Sequence, residues 1–290
     1  MQKHNSFNKK FKKQFLSINN LIESYFNKLN NLKLRSKKSS LIKNNKVVLI
    51  IGISVILALS YLTIPSFFNK KLIQTSIENQ VLKKYNFKIK FNENINYRIF
   101  PKPHFFSSNL SILGKNDEIG LVKDFKIYLS SKKLFSINKI ELKDLVFNKV
   151  TFDIYKDDAL FFYDLLKTEP NENNIVFKNS NLFFKDKNDE VLFINKIYKS
   201  EFFWDPNNLQ NVLISKNEIF NLPYKLIIKN DRYNKKVISN FISKKIRLNI
   251  KNETDYNDLE KKGFIDILFV NKGTSLEYKI NKDTLEFSSF

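Results

Sequence analysis

An uncharged apolar run of eighteen residues, Val47 to Ile64, limits what this 290-residue chain can fold into more than any other feature. As a helix it would be about 27 Å long, close to the roughly 30 Å hydrocarbon core of a bilayer. A soluble core would need an unusually large partner surface to bury it. The run is too long for a signal peptide, and no small-residue cleavage site follows it. The sequence therefore predicts a transmembrane signal anchor within residues 46–66.

Basic residues are concentrated before this run. Residues 1–46 carry twelve Lys or Arg and one acidic residue, whereas only Lys70 and Lys71 lie in the short stretch after the run. Because Lys and Arg mark the cytoplasmic side of a membrane helix, residues 1–45 are predicted to be a cytoplasmic arm. Residues 67–290 then form an exported domain.

The arm has a helical pattern of its own. Its apolar residues recur at spacings of three and four: Phe7, Phe11, Phe15, Ile18, Ile22, Tyr25, Leu29 and Leu32. Four lysines lie on the other faces of this helix: Lys9, Lys10, Lys12 and Lys13. This pattern favours an amphipathic helix lying on an anionic leaflet. The alternative is a disordered tail rich in Lys and Asn, in which the periodicity arises by chance.

After the membrane run, one more helix is predicted over about residues 67–84, and then the apolar period changes to two. Half-buried strands are indicated by Phe87-Ile89-Phe91, Phe125-Ile127-Leu129, Val150-Phe152-Ile154, Tyr224-Leu226-Ile228, Ile246-Leu248-Ile250, Ile265-Ile267-Phe269 and Leu276-Tyr278-Ile280. A short helix from Asp158 to Lys167, capped by Asp157 or Asp158, is predicted to interrupt them. Roughly ten to twelve strands favour a long curved antiparallel sheet. A β-sandwich is the alternative that the pattern leaves open.

The residues for catalysis, metal binding and phosphate binding are scarce. The chain has no cysteine and two histidines, His4 and His104, which lie far apart in the sequence. Its five glycines form no phosphate-binding loop, and without a histidine partner no nucleophile set is present. We therefore predict no enzymatic activity, no cofactor and no metal site. The basic excess of the exported part is spread along the chain, so no nucleic-acid partner is expected either.

The order of motifs resembles the AsmA family over about residues 46–290. An anchor, a proline and a helix are followed by NINYRIFPKPHFFSSNLSILG, with the Pro-containing corner at Phe100 to Pro103. The paired strands, acidic turn and short helix of that family resemble the stretch INKIELKDLVFNKVTFDIYKDDALFFYDLL. Its later hairpins resemble two further stretches, NNIVFKNSNLFFKDKNDEVLFINKI and NEIFNLPYKLIIKN. Asp158-Ala159 replaces the glycine usual in the acidic turn, and typical members are much longer.

The resemblance implies a β-groove in the periplasm, anchored in the inner membrane, with an apolar concave face and a polar convex face. It also implies binding or transport of phospholipid in support of outer-membrane assembly. The groove candidates are Val150, Phe152, Ile154, Leu226, Ile228, Leu248, Ile250 and Ile267. An apolar groove suits acyl chains because the hydrophobic effect is non-directional. The alternative function is a membrane-anchored scaffold that binds division or envelope proteins and carries no lipid.

Overall fold

The computed structural model describes residues 41–114, 118–130, 134, 141–256, 261–280 and 284–289. The predicted arm helix with Lys9, Lys10, Lys12 and Lys13 lies outside these residues. The chain divides into two compact units, residues 1–59 and 60–290.

The predicted apolar helix is present as α1, Leu41–Thr63, which begins six residues earlier than the uncharged run. A 3-10 helix, Ile64–Phe67, continues it and contains Pro65. Among the described residues, the segment Ile50–Phe67 is the one stretch long and apolar enough to cross a membrane. Its aliphatic side chains are largely exposed, for example Leu57 at 64%. Because such a surface is unfavourable in water, α1 suits a lipid environment.

Helix α2, Lys70–Tyr85, confirms the second predicted helix. The side chain of Asn69 caps its first turn by accepting hydrogen bonds from the backbone N–H groups of Lys71 and Leu72. Asn86 ends it in the left-handed conformation, with φ 57°. One face of α2 is buried, and it consists of Ile73, Ile77, Val81 and Tyr85.

Within the described residues fifteen strands follow, more than the sequence predicts, because several are only three to five residues long. Their bounds are β1 Lys88–Phe91, β2 Asn96–Arg98, β3 His104–Ser107, β4 Leu110–Leu113, β5 Glu118–Leu129, β6 Leu142–Ile154, β7 Ile175–Lys185, β8 Val191–Asp205, β9 Gln210–Ile219, β10 Leu222–Asp231, β11 Lys236–Ser243, β12 Leu248–Tyr256, β13 Lys261–Phe269, β14 Lys272–Ile280 and β15 Leu285–Ser289.

The strands form one curved, open sheet, which confirms the mainly β fold and the curved sheet. The order is β1-β4-β5 and then sequential to β15, with β3 also pairing β5 and β2 pairing β3. In the described part of the chain all strands belong to this one sheet, so the sandwich alternative is not adopted. The expectation of a purely antiparallel sheet is wrong at one place, because β6 and β7 pair in parallel.

The connection between β6 and β7 explains the parallel pair. It contains a 3-10 turn, Lys156–Asp158, and the short helix α3, Phe161–Leu165. These return the chain across the sheet, so that β7 starts beside the start of β6, as a parallel pair requires. The predicted cap by Asp157 or Asp158 is wrong, because α3 begins only at Phe161 and no side chain caps it.

Apolar side chains of the long strands share one face of the sheet, here called the inner face. In β6 the inward residues change parity, from Phe147 to Val150, at Lys149, where φ is 57°. Strand β7 changes parity at Asn179, where φ is 49°. Such local irregularities bend a strand and redirect its side chains. They keep the two halves of each strand facing the same core.

Helices α2 and α3 cover the first half of the inner face. The core beneath them is filled by aromatic rings whose centroids lie 4.7–6.3 Å apart: Phe87, Phe125, Phe147, Phe152, Phe161, Phe162, Phe177 and Phe202. Burial also raises the pKa of Tyr85, on α2, to about 12. We call this part, from β1 to β9, the covered section.

Candidate functional site: an open trough on the inner face

The eight predicted groove residues all lie on the inner face. Cross-strand partners in a sheet point to the same side, and the register joins Leu226 to Phe241, Phe241 to Ile250, and Ile250 to Ile267. The parity change in β6 brings Val150, Phe152 and Ile154 to that same face through β7 to β9. The structure therefore places the candidates on one surface but not in one environment.

Three of the eight cannot line an open groove. Val150, Phe152 and Ile154 are 1%, 0% and 3% exposed. The ring of Phe152 lies 5.2 Å from that of Phe162 on α3 and 5.5 Å from that of Phe177 on β7. The expectation of an open lining is wrong for these three residues, because the short helix folds back over them.

The other five candidates lie beyond the covered section, where the inner face is open. They are partly buried: Leu226, Ile228, Leu248, Ile250 and Ile267. The same surface includes Phe241, Ile265 and Leu276, which the register places beside them. We call these eight side chains, on β10 to β14, the trough floor.

The trough floor is neither fully buried nor fully exposed. On β13 the inner-face residues Ile265 and Ile267 are partly buried, whereas Phe264 and Leu268 on the outer face are 36% and 47% exposed. The trough floor is therefore an apolar surface that remains partly accessible.

A hydrogen-bonded polar wall borders one side of the trough floor. The Tyr278 hydroxyl donates to Oδ1 of Asn252 at 2.9 Å and lies 2.5 Å from Oγ1 of Thr254. Gly263 makes room for this ring, since a Cβ there would lie 2.6 Å from the Tyr278 hydroxyl. The Tyr256 hydroxyl donates to Asn230 at 3.2 Å. These groups offer hydrogen bonds beside an apolar floor, which is the pattern an amphipathic ligand needs.

Side-chain hydrogen bonds to backbone carbonyls join the segment after α3 to β9 and β10. Asn211 donates its side-chain amide hydrogens to the carbonyl oxygens of Leu166 and Thr168, at 2.9 and 2.8 Å. Asn230 donates to the same Leu166 oxygen at 2.8 Å. Both asparagines are buried, at 6% and 2% exposed. They fasten the segment after α3 onto the sheet, and the two residues are here called the asparagine clamp.

A separate cavity of about 300 Å³ lies between the end of α2 and α3. Its apolar residues include Phe87 and Phe161, but Asp157, Asp158 and Asp164 also line it. Three carboxylates would repel the phosphate of a phospholipid. The trough floor is therefore the better candidate for lipid.

The side chains of the trough floor are all aliphatic or aromatic. No group of three or more His, Asp or Glu side chains within the described ranges is arranged to hold a metal ion. His104 is buried beside the Tyr128 ring, and its Nδ1 lies 2.8 Å from the carbonyl oxygen of Lys102. It lies on β3, at the opposite end of the sheet order from the trough floor.

Sequence reasoning missed Phe241 and the asparagine clamp. Strand β11 carries apolar residues of both parities, Val237 and Phe241 inward and Ile238 and Ile242 outward, so alternation alone does not identify its inner face. Asn211 has no distinctive sequence signal in a chain rich in asparagine. Ile265 and Leu276 belong to predicted strands and become site residues only through the register.

No protein-family model matches the chain, and no curated protein matches it either.

Proposed function

We propose that this protein is an AsmA-like, inner-membrane-anchored protein that binds or conveys phospholipid and supports outer-membrane assembly. In this proposal α1 spans the inner membrane, the basic arm is cytoplasmic, and the sheet lies in the periplasm. The trough floor holds acyl chains, while headgroups remain in water or meet the polar wall. The observation that carries the proposal is the accessible apolar strip Leu226-Phe241-Ile250-Ile267, which crosses four consecutive strands.

The trough floor leaves apolar surface in contact with water. Burying apolar surface contributes about 25 cal/mol per Å², so an acyl chain gains from lying along the strip. A rigid sheet needs little reorganisation to receive it. The packed rings of the covered section fill one part of the inner face, so a chain enters from the open side or from the β15 end.

A pair of matched substitutions tests this proposal. Ile250→Asp places a carboxylate on the trough floor between Phe241 and Ile267, whereas Ile242→Asp places it on the outer face opposite Lys225. We expect phospholipid to co-purify with the wild type and the Ile242→Asp variant and to be lost from Ile250→Asp, since an acyl chain cannot cheaply desolvate a carboxylate. Mass spectrometry of extracted lipid and a thermal melt are made on the same preparation.

Retention of lipid by a folded Ile250→Asp variant would contradict the trough as the lipid site. Loss of lipid from both variants would show that the effect is not specific to the inner face.

A second candidate function is the membrane-anchored scaffold without lipid cargo. It is favoured by exposed apolar side chains on the outer face, Phe264 and Leu268, which suit a protein partner. A wild-type preparation that contains no phospholipid would favour this function over the first.

A further inference from the structure

The two ends of the strand order differ in how their edges are covered. At the first end helix α2 contacts β1, and the Glu78 carboxylate accepts a hydrogen bond from the backbone N–H of Phe91 at 3.1 Å. The 3-10 helix Ile64–Phe67 contacts β2, and the Tyr97 hydroxyl donates to the Leu62 carbonyl oxygen at 2.7 Å. These contacts cover the first edge, as natural proteins commonly do.

The last edge, β15, is uncovered. Within the described residues, β14 is the one strand that pairs with it. About half of the backbone N–H and C=O groups of an edge strand point away from its partner. The side chains of residues 285–288 are all exposed, with Leu285 at 54% and Phe287 at 59%. Strand β15 therefore presents unpaired backbone groups beside exposed apolar side chains.

Strand β15 also lacks the residues that usually keep an edge strand single. Such strands commonly carry Lys, Pro or a β-bulge, which oppose pairing with another chain. Every strand from β5 to β14 contains lysine, whereas β15 contains no Lys, Arg or Pro. Its register with β14 has no irregularity, and Glu286 is its only charged residue. The composition of β15 thus favours the addition of a further strand.

The sequence of β15 is complementary to itself in one register. A twofold axis between two side-by-side copies makes the strands antiparallel and keeps the same face of both sheets on one side. With Phe287 on this axis, residues 285–289 of both copies are paired, and Glu286 lies opposite Ser288 of the second copy. With Glu286 on the axis, two carboxylates would oppose each other and only residues 285–287 would pair. With Ser288 on the axis, only residues 287–289 would pair.

We infer that β15 pairs with β15 of a second copy of this chain, with Phe287 on the twofold axis. The pairing supplies partners to the free backbone groups, brings two exposed Phe287 rings together, and places a serine hydroxyl where it donates to each Glu286 carboxylate. A five-residue strand makes a small interface, in the class below about 1,200 Å² that is typical of transient complexes. The association is therefore reversible.

The pairing joins the inner faces of the two copies. Phe287 lies opposite Tyr278 and Leu285 opposite Ile280, and the register places all four on the same face as Leu276 of the trough floor. Two inner faces then form one surface across the axis. The contact itself is made by backbone groups and by β15 side chains, so it does not depend on what the trough holds.

Disulfide trapping tests the register on the full chain in isolated membranes. The chain has no cysteine, so a single introduced thiol reports one position. In the inferred pair the two Cα atoms of residue 287 are about 5.5 Å apart or closer, within reach of a disulfide. The two copies of residue 285 are about 13 Å apart along the strands. We expect oxidation to give a covalent dimer from Phe287→Cys and none from Leu285→Cys, the matched control on the same strand and face.

A mixed pair of variants keeps the Phe287 ring. Glu286→Cys and Ser288→Cys chains that carry different tags are produced together and oxidised. Because these positions lie opposite each other across the axis, we expect a crosslinked product that contains both tags. The tags also identify the second component as another copy of this chain.

A pair of lysine substitutions tests the energetics. The cross-strand partners of residues 287 and 285 within one chain, Tyr278 and Ile280, are uncharged, so Phe287→Lys and Leu285→Lys should both keep the melt of the wild type. Only Phe287→Lys places two lysines opposite each other in the dimer. Sedimentation of the full chain in detergent should show self-association weaker by up to about fivefold in Phe287→Lys than in Leu285→Lys.

Equal disulfide formation from positions 287 and 285 would overturn the inferred register. Absence of a dimer from both Phe287→Cys and the mixed pair, or crosslinks to a different protein alone, would overturn pairing with a second copy. Self-association of Phe287→Lys as strong as that of the wild type would overturn it too. None of these results changes the lipid that co-purifies with the wild type, so failure of this inference is distinguishable from failure of the proposed function.

Discussion

Phe152→Asp is expected to unfold the sheet domain, although sequence alone suggests that this position lines an open groove. Its side chain is 0% exposed and lies between the rings of Phe162 and Phe177. An unpaired carboxylate at this depth costs several kcal/mol, and the lost packing of a large ring adds about 3 kcal/mol. Since a domain is stable by only about 5–15 kcal/mol, the sum removes most or all of the stability.

The measurement is a thermal melt of the purified chain, followed by circular dichroism. Phe152→Leu is the control, because it keeps the site apolar and should lower the melting temperature only modestly. Ile250→Asp, with the same introduced group at a partly exposed position, should keep a cooperative melt. A Phe152→Asp variant that melts like the wild type would mean that α3 does not cover the first half of the inner face.

Asn230→Asp is expected to open the asparagine clamp with almost no change in shape. The substitution replaces the NH2 group that donates to the Leu166 carbonyl oxygen at 2.8 Å by an acceptor. A buried carbonyl then loses one donor and faces a carboxylate, at a cost of about 3 kcal/mol. Burial and the facing carbonyl raise the pKa of the new carboxyl in the folded state. The loss of stability relative to the wild type should therefore be smallest at low pH and should grow as the pH rises through that raised pKa.

Hydrogen exchange reports this change locally. We expect faster exchange over residues 161–168 in Asn230→Asp, while β12 and β13 keep their protection. Asn207→Asp, in the exposed turn between β8 and β9, is the control and should cost less than about 0.5 kcal/mol. Unchanged exchange over residues 161–168 would show that Asn230 does not hold the end of α3.

Much of the fold follows from short-range patterns. The length of the uncharged apolar run predicts α1, and the spacing of apolar residues by three and four predicts α2. The alternation of apolar and polar residues predicts the main strands. The mainly β fold and the curved sheet also agree with the structure. These features depend on residues close in sequence, for which periodicity is a direct consequence of backbone geometry.

The division of the inner face into covered and open parts does not follow from such patterns. Two segments look alike as alternating patterns, Val150-Phe152-Ile154 and Ile246-Leu248-Ile250. The first segment is buried, whereas Leu248 and Ile250 of the second are only partly buried. The difference arises because residues 155–174 cross the first segment as a βα connection to a parallel strand. Parity changes at Lys149 and Asn179 likewise depend on pairing between strands rather than on local sequence.

Lipid contact with the trough floor is measured most directly by photo-crosslinking in living cells. Benzoylphenylalanine is introduced at Phe241, whose cross-strand partners are Leu226 and Ile250, or at Ile242, which points to the outer face. If the trough carries phospholipid, irradiation should attach phospholipid to the chain from position 241 and not from position 242. Phospholipid attached equally from both positions, or protein crosslinks alone from position 241, would contradict the lipid-binding trough.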